Sequence, residues 1–146
     1  MRQTALDSRL LVQLNALRAQ HGLRPLRLSH RLGAAADRHS LEMANDGYFA
    51  HESPNGSAFW KRVERFYSST GYRSWKVGEN LIWQSPDLNA PEAMKLWMAS
   101  PPHRENLLSR SWREVGVSAV SVERGSGAFE GMTVTLVTVD FGARAR

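Results

Sequence analysis

Two histidines and one glutamate are the side chains in this sequence whose surroundings best suit chemistry. His51 lies where a helix gives way to a loop, Glu79 follows a glycine in an extended segment, and His103 follows a pair of prolines. Two imidazoles and a carboxylate are a ligand set for Zn²⁺ that leaves one position for water, and the same groups can perform general acid–base catalysis. Because 28 and 24 residues separate them along the chain, only the fold can bring them together.

Two of these side chains, His51 and Glu79, also have a purely structural alternative. His51 can order the loop by hydrogen bonding to the backbone, and Glu79 can brace the Gly78 turn through backbone N–H groups. A braced carboxylate can at the same time orient an imidazole, as carboxylates behind metal ligands do. His39 lies on an apolar helical face and is expected to be a satisfied, semi-buried structural histidine.

The composition excludes several classes of protein. A chain of 146 residues with 42% hydrophobic residues suits one domain over residues 1–146. The absence of cysteine excludes disulfide scaffolds, thiolate zinc sites and cysteine nucleophiles. No apolar run is long enough to span a membrane. The first residues lack the apolar block of a secretory signal, so the chain is either cytosolic or numbered after removal of a leader.

The basic residues do not indicate a specific nucleic-acid partner. The formal net charge is +5 and the pI is about 10.2. Residues 1–40 contain seven arginines against two aspartates, which favours anionic surfaces in general. These arginines are scattered singly and accompany no nucleic-acid-binding motif.

The hydrophobic patterns predict helices early in the chain and strands late. Asp7 and Gly22 suit the two ends of a first helix, and Ser29 suits the start of a second that ends near Asn45. Ser57 is expected to cap a third helix. The chain is then expected to be extended from Gly71 to Gln84. A fourth helix is predicted from Pro91 to about Ala99, with Pro101-Pro102 as its stop. Two strands are predicted over 115–122 and 134–141. This order predicts an α+β layered domain with a small antiparallel sheet.

Four motifs in order resemble those of the CAP superfamily (the SCP domain), named for cysteine-rich secretory, antigen 5 and pathogenesis-related proteins. They are Phe49-Ala50-His51, Gly78-Glu79-Asn80-Leu81, Trp97-x-x-Ser100-Pro101-x-His103-Arg104-x-Asn106-Leu107-Leu108 and Val139-Asp140-Phe141-Gly142. The resemblance covers about Leu10 to Gly142. The Ser-Pro-x-His-Arg-x-Asn form and the missing cysteines resemble the compact bacterial branch.

The resemblance implies a three-layer α–β–α sandwich with a small central antiparallel sheet and a central cleft. It places His51, Glu79 and His103 in that cleft, with the two histidines as ligands of a divalent metal such as Zn²⁺ in some members. The second family glutamate usually stands three residues after the helix tryptophan. Here that position is Ser100, which is therefore expected to line the cleft with the other three residues. This departure argues against any mechanism that needs two carboxylates.

Three functional hypotheses follow from the resemblance. The first is a secreted or cell-envelope binding module, monomeric, whose cleft binds a small molecule, a lipid or a cell-surface ligand. The second is a metal-assisted hydrolase of peptides or cell-wall material, in which Glu79 is the only motif carboxylate able to act as the base. The third is lipid or sterol capture, as in some relatives. No recognisable nucleophile or complete catalytic constellation is present, which favours the binding module.

Overall fold

Helices and strands are interspersed along the chain, with two pairs of consecutive helices. A computed structural model describes residues 2–3 and 5–146, with side chains from residue 5 onward. The elements are β1 (Arg2–Gln3), α1 (Leu6–Gln20), β2 (Arg27–Leu28), α2 (His30–Asp46), α3 (Phe59–Phe66), β3 (Ser74–Gln84), α4 (Ala90–Met98), α5 (Pro101–Leu108), β4 (Glu114–Val122), a short 3₁₀ turn (Gly127–Phe129) and β5 (Val134–Ala145).

The sheet is mainly antiparallel, with strand order β1-β4-β5-β3. The central strand β5 pairs antiparallel with both β3 and β4, while the short β2 adds a parallel pair to β4. In the β3–β5 register Glu79 lies directly opposite Asp140. Because β5 is buried on both faces, as its apolar residues at both parities predict, the sheet needs a helical layer on each side.

Helices cover both faces of the sheet and complete the expected three-layer α–β–α sandwich. On one face α1, α4 and α5 pack through Leu10, Trp97 and Leu107 against β4 and β5. On the other face α2 and α3 pack through Met43 and Val63. No helix in the described part of the chain combines the length and the apolar character needed to cross a membrane.

The predicted start and end of α2 are confirmed, whereas two other predicted caps are wrong. The Ser29 side chain accepts a hydrogen bond from the backbone N–H of Leu32, and Gly47 ends the helix in the left-handed conformation. Asp7 lies inside the first turn of α1, where its charge suits the helix dipole. Ser57 caps nothing, because α3 begins one residue later than its cap would require and follows Ala58.

The prolines at 101 and 102 begin a helix, which corrects their interpretation as a stop signal. Helix α4 ends at Met98, and Pro101 and Pro102 occupy the first positions of α5. Proline suits those positions because their N–H groups have no partner within the helix. His103 therefore projects from the first turn of α5, a helix that the sequence patterns did not predict.

A glycine on β4 lets α2 approach the sheet closely. A Cβ atom built on Gly116 would lie 2.1 Å from the backbone N of Gly33 and 2.1 Å from the carbonyl carbon of Leu32. Any side chain there must push the start of α2 away from β4. Since α2 carries residues that support the candidate site, this contact helps to set the site's geometry.

Candidate functional site

Glu79 is at the centre of the candidate site, but it is buried. Its side chain has no exposed surface, and both carboxylate oxygens are occupied. Arg62 donates from Nη1 to Oε2 at 2.8 Å and from Nη2 to Oε1 at 3.2 Å, and His51 Nδ1 lies 3.0 Å from Oε1. The predicted brace at a Gly78 turn is wrong, because Gly78 lies within β3 and side chains hold the carboxylate.

A second carboxyl group, on Asp140, lies opposite Glu79 on the neighbouring strand. Arg62 Nη1 is 3.4 Å from its Oδ2, and Oδ1 has no hydrogen-bond partner among the described residues. Burial and the adjacent Glu79 charge raise the pKa of Asp140 well above its usual value. Burial alone would raise the pKa of Glu79, but hydrogen bonds from His51 and Asp140 and the Arg62 charge lower it to about 2. The two shifts run in opposite directions, so Glu79 is the stronger acid of the pair and Asp140 is the member that keeps its proton to higher pH.

Arg62 ties this buried pair to the exposed histidine. Its side chain is 1% exposed, and besides contacting both carboxyl groups it donates from Nη2 to the backbone carbonyl of His51 at 3.1 Å. His51 is thus held at two points, by its carbonyl on Arg62 and by its ring on Glu79. Sequence reasoning missed Arg62, which lies between Lys61 and Arg65 in a run typical of a solvated helix face.

His51 presents its ring to solvent with a fixed orientation. Its side chain is 46% exposed, and the ring packs against Phe59 at 6.1 Å between centroids. The hydrogen bond to Glu79 raises the pKa of His51. Because an ionised carboxylate can only accept, the hydrogen must be on Nδ1 of His51. In the neutral ring Nε2 then carries a free lone pair.

His103 and Ser100 are the second polar pair of the site. His103 Nδ1 lies 2.8 Å from the Ser100 hydroxyl, and the His103 carbonyl accepts from Asn80 Nδ2 at 3.1 Å. Asn80 in turn accepts from Asn106, which also binds the Glu79 carbonyl. Burial and the charge of nearby His51 lower the pKa of His103. The two histidines thus interact electrostatically, and an amide network joins α5, which carries His103, to β3, which carries Glu79.

His39 supports the site from inside, which is more deeply than the predicted semi-buried position. It is fully buried, and its Nε2 donates to the Ala50 carbonyl at 2.6 Å. Burial lowers the pKa of His39, so the ring is neutral although Glu79 Oε1 is 3.8 Å away. This contact fixes the chain one residue before His51.

The donor set suits a divalent metal in part. Hydrogen bonds hold Nδ1 of both His51 and His103, while no hydrogen bond between residues 5 and 146 engages Nε2 of either ring. A ring anchored through one nitrogen and open at the other is typical of metal-ligating histidines. In the described residues, however, no three His, Asp or Glu side chains are grouped to hold a metal ion. The two imidazoles would therefore supply at most two ligands, with Glu79 behind His51.

A comparison with family models decides the identity of the fold. The model described as "Cysteine-rich secretory protein family" (CAP) matches residues 11–141. The chain belongs to this family. It does so without a single cysteine, so the CAP fold here is held by its core and by buried polar networks.

Two curated relatives of this chain come from Bacillus subtilis. The uncharacterized protein YkwD of Bacillus subtilis is 32% identical over 125 residues, which is 84% of this chain and 45% of YkwD. The uncharacterized membrane protein YlbC of the same organism is 29% identical over 116 residues, covering 79% of this chain and 32% of YlbC. The chain thus spans less than half the length of these two curated relatives.

Solved CAP structures share the whole fold. An extracellular SCP-domain protein of Bacillus anthracis has a TM-score of 0.73 at 24% identity, covering 99% of this chain and 41% of its own. An outer surface protein of Borrelia burgdorferi has a TM-score of 0.74 at 16% identity, covering 98% of both chains. At these identities the likeness establishes the architecture alone.

Proposed function

We propose that this protein is a non-enzymatic CAP binding module in which His51 and His103 bind a divalent metal, or a ligand in its place, through their Nε2 atoms. The observation that carries the proposal is the shared anchoring of the two rings. Glu79 holds Nδ1 of one and Ser100 lies against Nδ1 of the other. Bound Zn²⁺ would supply a Lewis-acidic centre to which a further ligand can bind.

The state of Glu79 favours binding over turnover. A general base for hydrolysis must reach a water molecule and hold a proton near neutral pH. Glu79 is buried, both its oxygens are engaged by Arg62 and His51, and its pKa is lowered to about 2. It is therefore suited to orient His51 and to stabilise a positive charge there. By this argument the hydrolase hypothesis loses Glu79, the carboxylate that it needs as its base.

We place the module outside the cytoplasm, in the secreted or cell-envelope compartment. The support is the extracellular and outer-surface origin of the two structural neighbours.

Isothermal titration with Zn²⁺ tests the proposed site. The wild type should bind the ion, and the double variant His51→Ala/His103→Ala should bind at least about 100-fold more weakly. The control is His21→Ala/His30→Ala, since both of these histidines are exposed and lie outside the site. Equal binding by all three proteins would remove His51 and His103 from the site. Chelator-sensitive turnover of a peptide or peptidoglycan panel, lost in Glu79→Gln, would contradict the non-enzymatic assignment.

A further inference from the structure

Three short segments that are distant in sequence meet at one end of the sheet. Ser74 pairs with Ala145 and Lys76 with Ala143 across β3 and β5, and Arg113 donates its backbone N–H to the Gly142 carbonyl. Together the segments line a cleft of about 260 Å³, whose walls are Ser74, Lys76, Ser111, Arg113 and residues 143–145. The cleft is open to solvent, because Ser74, Lys76, Ser111 and Arg113 are all exposed.

This end of the molecule carries a concentrated and unneutralised positive charge. Residues 73–77, 109–114 and 142–146 contain six cations against the single acid Glu114, whose carboxylate accepts a hydrogen bond from the Tyr67 hydroxyl. In the part of the chain that the structure describes, none of the six forms an ion pair. They are Arg73, Lys76, Arg110, Arg113, Arg144 and Arg146.

Some of these cations are held in place before any ligand binds. Arg113 Nη1 donates to the carbonyls of Arg110 and Trp112 at 2.8 and 3.0 Å, which leaves its other N–H groups available. The Arg144 guanidinium is also held, 4.0 and 4.4 Å from the ring centroids of Tyr67 and Tyr72, but its side chain is on the opposite face of the sheet from Lys76, because Arg144 pairs with Trp75. Preorganised cations lose less conformational entropy when an anion binds.

We propose that this cleft binds the phosphate group of a phosphate ester. The Arg113 fork and the Lys76 ammonium provide charge-assisted donors for several oxygens of one anion, and the Ser74 and Ser111 hydroxyls add neutral donors. No carboxylate lines the cleft to repel an anion. Its small volume suits a single phosphate group with the rest of the ester outside.

The cleft is separate from the histidine site. Lys76 and Glu79 are three residues apart on β3, a separation of about 10 Å, and their side chains point to opposite faces of the strand. The phosphate proposal therefore does not depend on the proposed metal-binding function, and variants in the cleft leave the residues of the histidine site intact.

The test is a titration of the ¹⁵N-labelled protein with inorganic phosphate and with glycerol phosphate, at an ionic strength of about 0.02 M where screening is weak. We expect amide shifts confined to residues 73–77, 109–114 and 142–146. The variant Lys76→Gln/Arg113→Gln should lose affinity by about tenfold or more. The control Arg24→Gln/Arg31→Gln removes the same charge from two exposed arginines outside the cleft and should bind as the wild type does.

Three results would overturn the proposal. Equal weakening in the two double variants would mean that net charge alone attracts the anion. Shifts spread over the whole surface would mean that no cleft site exists. Binding to vesicles containing anionic phospholipid, without binding of either free phosphate compound, would replace the phosphate site with a membrane-binding surface.

Discussion

Replacing Glu79 and Asp140 separately by their amides tests which of the two buried carboxyl groups carries the charge. Glu79→Gln leaves Arg62 buried without its main counter-charge. The fall of the Glu79 pKa from 4.5 to about 2 corresponds to about 3 kcal/mol of stability at neutral pH, and removing one partner of a buried ion pair costs about 3–5 kcal/mol. We therefore expect Glu79→Gln to lower the free energy of unfolding by about 3 kcal/mol at pH 7.

Asp140→Asn is the matched control, because an amide resembles a protonated carboxyl group in shape and neutrality. Its stability at pH 7 should stay within about 1 kcal/mol of wild type, or exceed it. The raised pKa of Asp140 means that the native state holds a proton which the unfolded chain releases. The contribution of this proton to the stability of the wild type is fully present below about pH 3.8 and is lost as the pH rises. The amide in Asp140→Asn does not titrate, so the variant does not lose stability in this way.

The stability that Glu79 contributes should depend on pH in a direction set by its lowered pKa. Because its pKa is lowered in the folded state, its contribution is present above about pH 4.5 and is lost as the pH falls towards 2. The difference between wild type and Glu79→Gln should shrink over that interval. Urea unfolding from pH 3 to 8 gives the free energy of unfolding of both variants. In thermal unfolding at pH 7, the melting temperature of Glu79→Gln should be lower than that of the wild type by about 10 °C. An equal loss in Asp140→Asn at pH 7 would refute the shared-proton reasoning.

Three further predictions concern the metal and the frame that carries the site. Zn²⁺ affinity should fall as the pH drops, because imidazole binds metal only when neutral. Since the pKa of His51 is raised and that of His103 is lowered, His51 should be the first of the two to be protonated and to release the metal. An affinity that is flat from pH 8 to 5 would contradict the assignment. Gly116→Ala should destabilise the fold by about 3 kcal/mol in chemical denaturation, because its Cβ would meet the Gly33 backbone at 2.1 Å. Ser29→Ala should cost about 1 kcal/mol in the same assay through loss of the α2 cap, and no change in stability would show that the cap is dispensable.

Local patterns were sufficient to predict most of the elements. The apolar period, a capping serine and a left-handed glycine define α2, and runs rich in valine define β4 and β5. The same patterns could not place Pro101 and Pro102, since proline both ends one helix and suits the first turn of the next. Because the Pro101-Pro102 pair is equally compatible with the end of one helix and the start of the next, only the tertiary structure decides between the two.

The exposed part of the site was easier to predict than its buried support. His51 and His103 lie in recognisable motifs, whereas Arg62 resembles its charged neighbours on a short helix. Asp140 lies in a quoted motif but received no role, because its position opposite Glu79 follows from a strand register set by the whole sheet. Likewise, the distribution of charge along the sequence indicated the N-terminal arginines as the basic region and did not predict the basic cleft.

The charge of the buried cluster explains why this support matters. Arg62 contributes one positive charge and Glu79 one negative charge, while the raised pKa of Asp140 and the lowered pKa of His39 both favour the neutral forms of those side chains. The cluster is therefore balanced while His51 stays outside it and remains free to titrate or to bind a ligand. Burying a balanced set of charges is far less costly than burying an excess charge.

The ¹⁵N chemical shifts of the histidine ring nitrogens, recorded with and without Zn²⁺, test the account most directly. We predict that His51 carries its hydrogen on Nδ1 in the free protein, and that added Zn²⁺ shifts Nε2 of both His51 and His103 together while the Nδ1 hydrogen of His51 is retained. A hydrogen on Nε2 of neutral His51, or a Zn²⁺ response confined to one of the two rings, would contradict the assignment of a shared site.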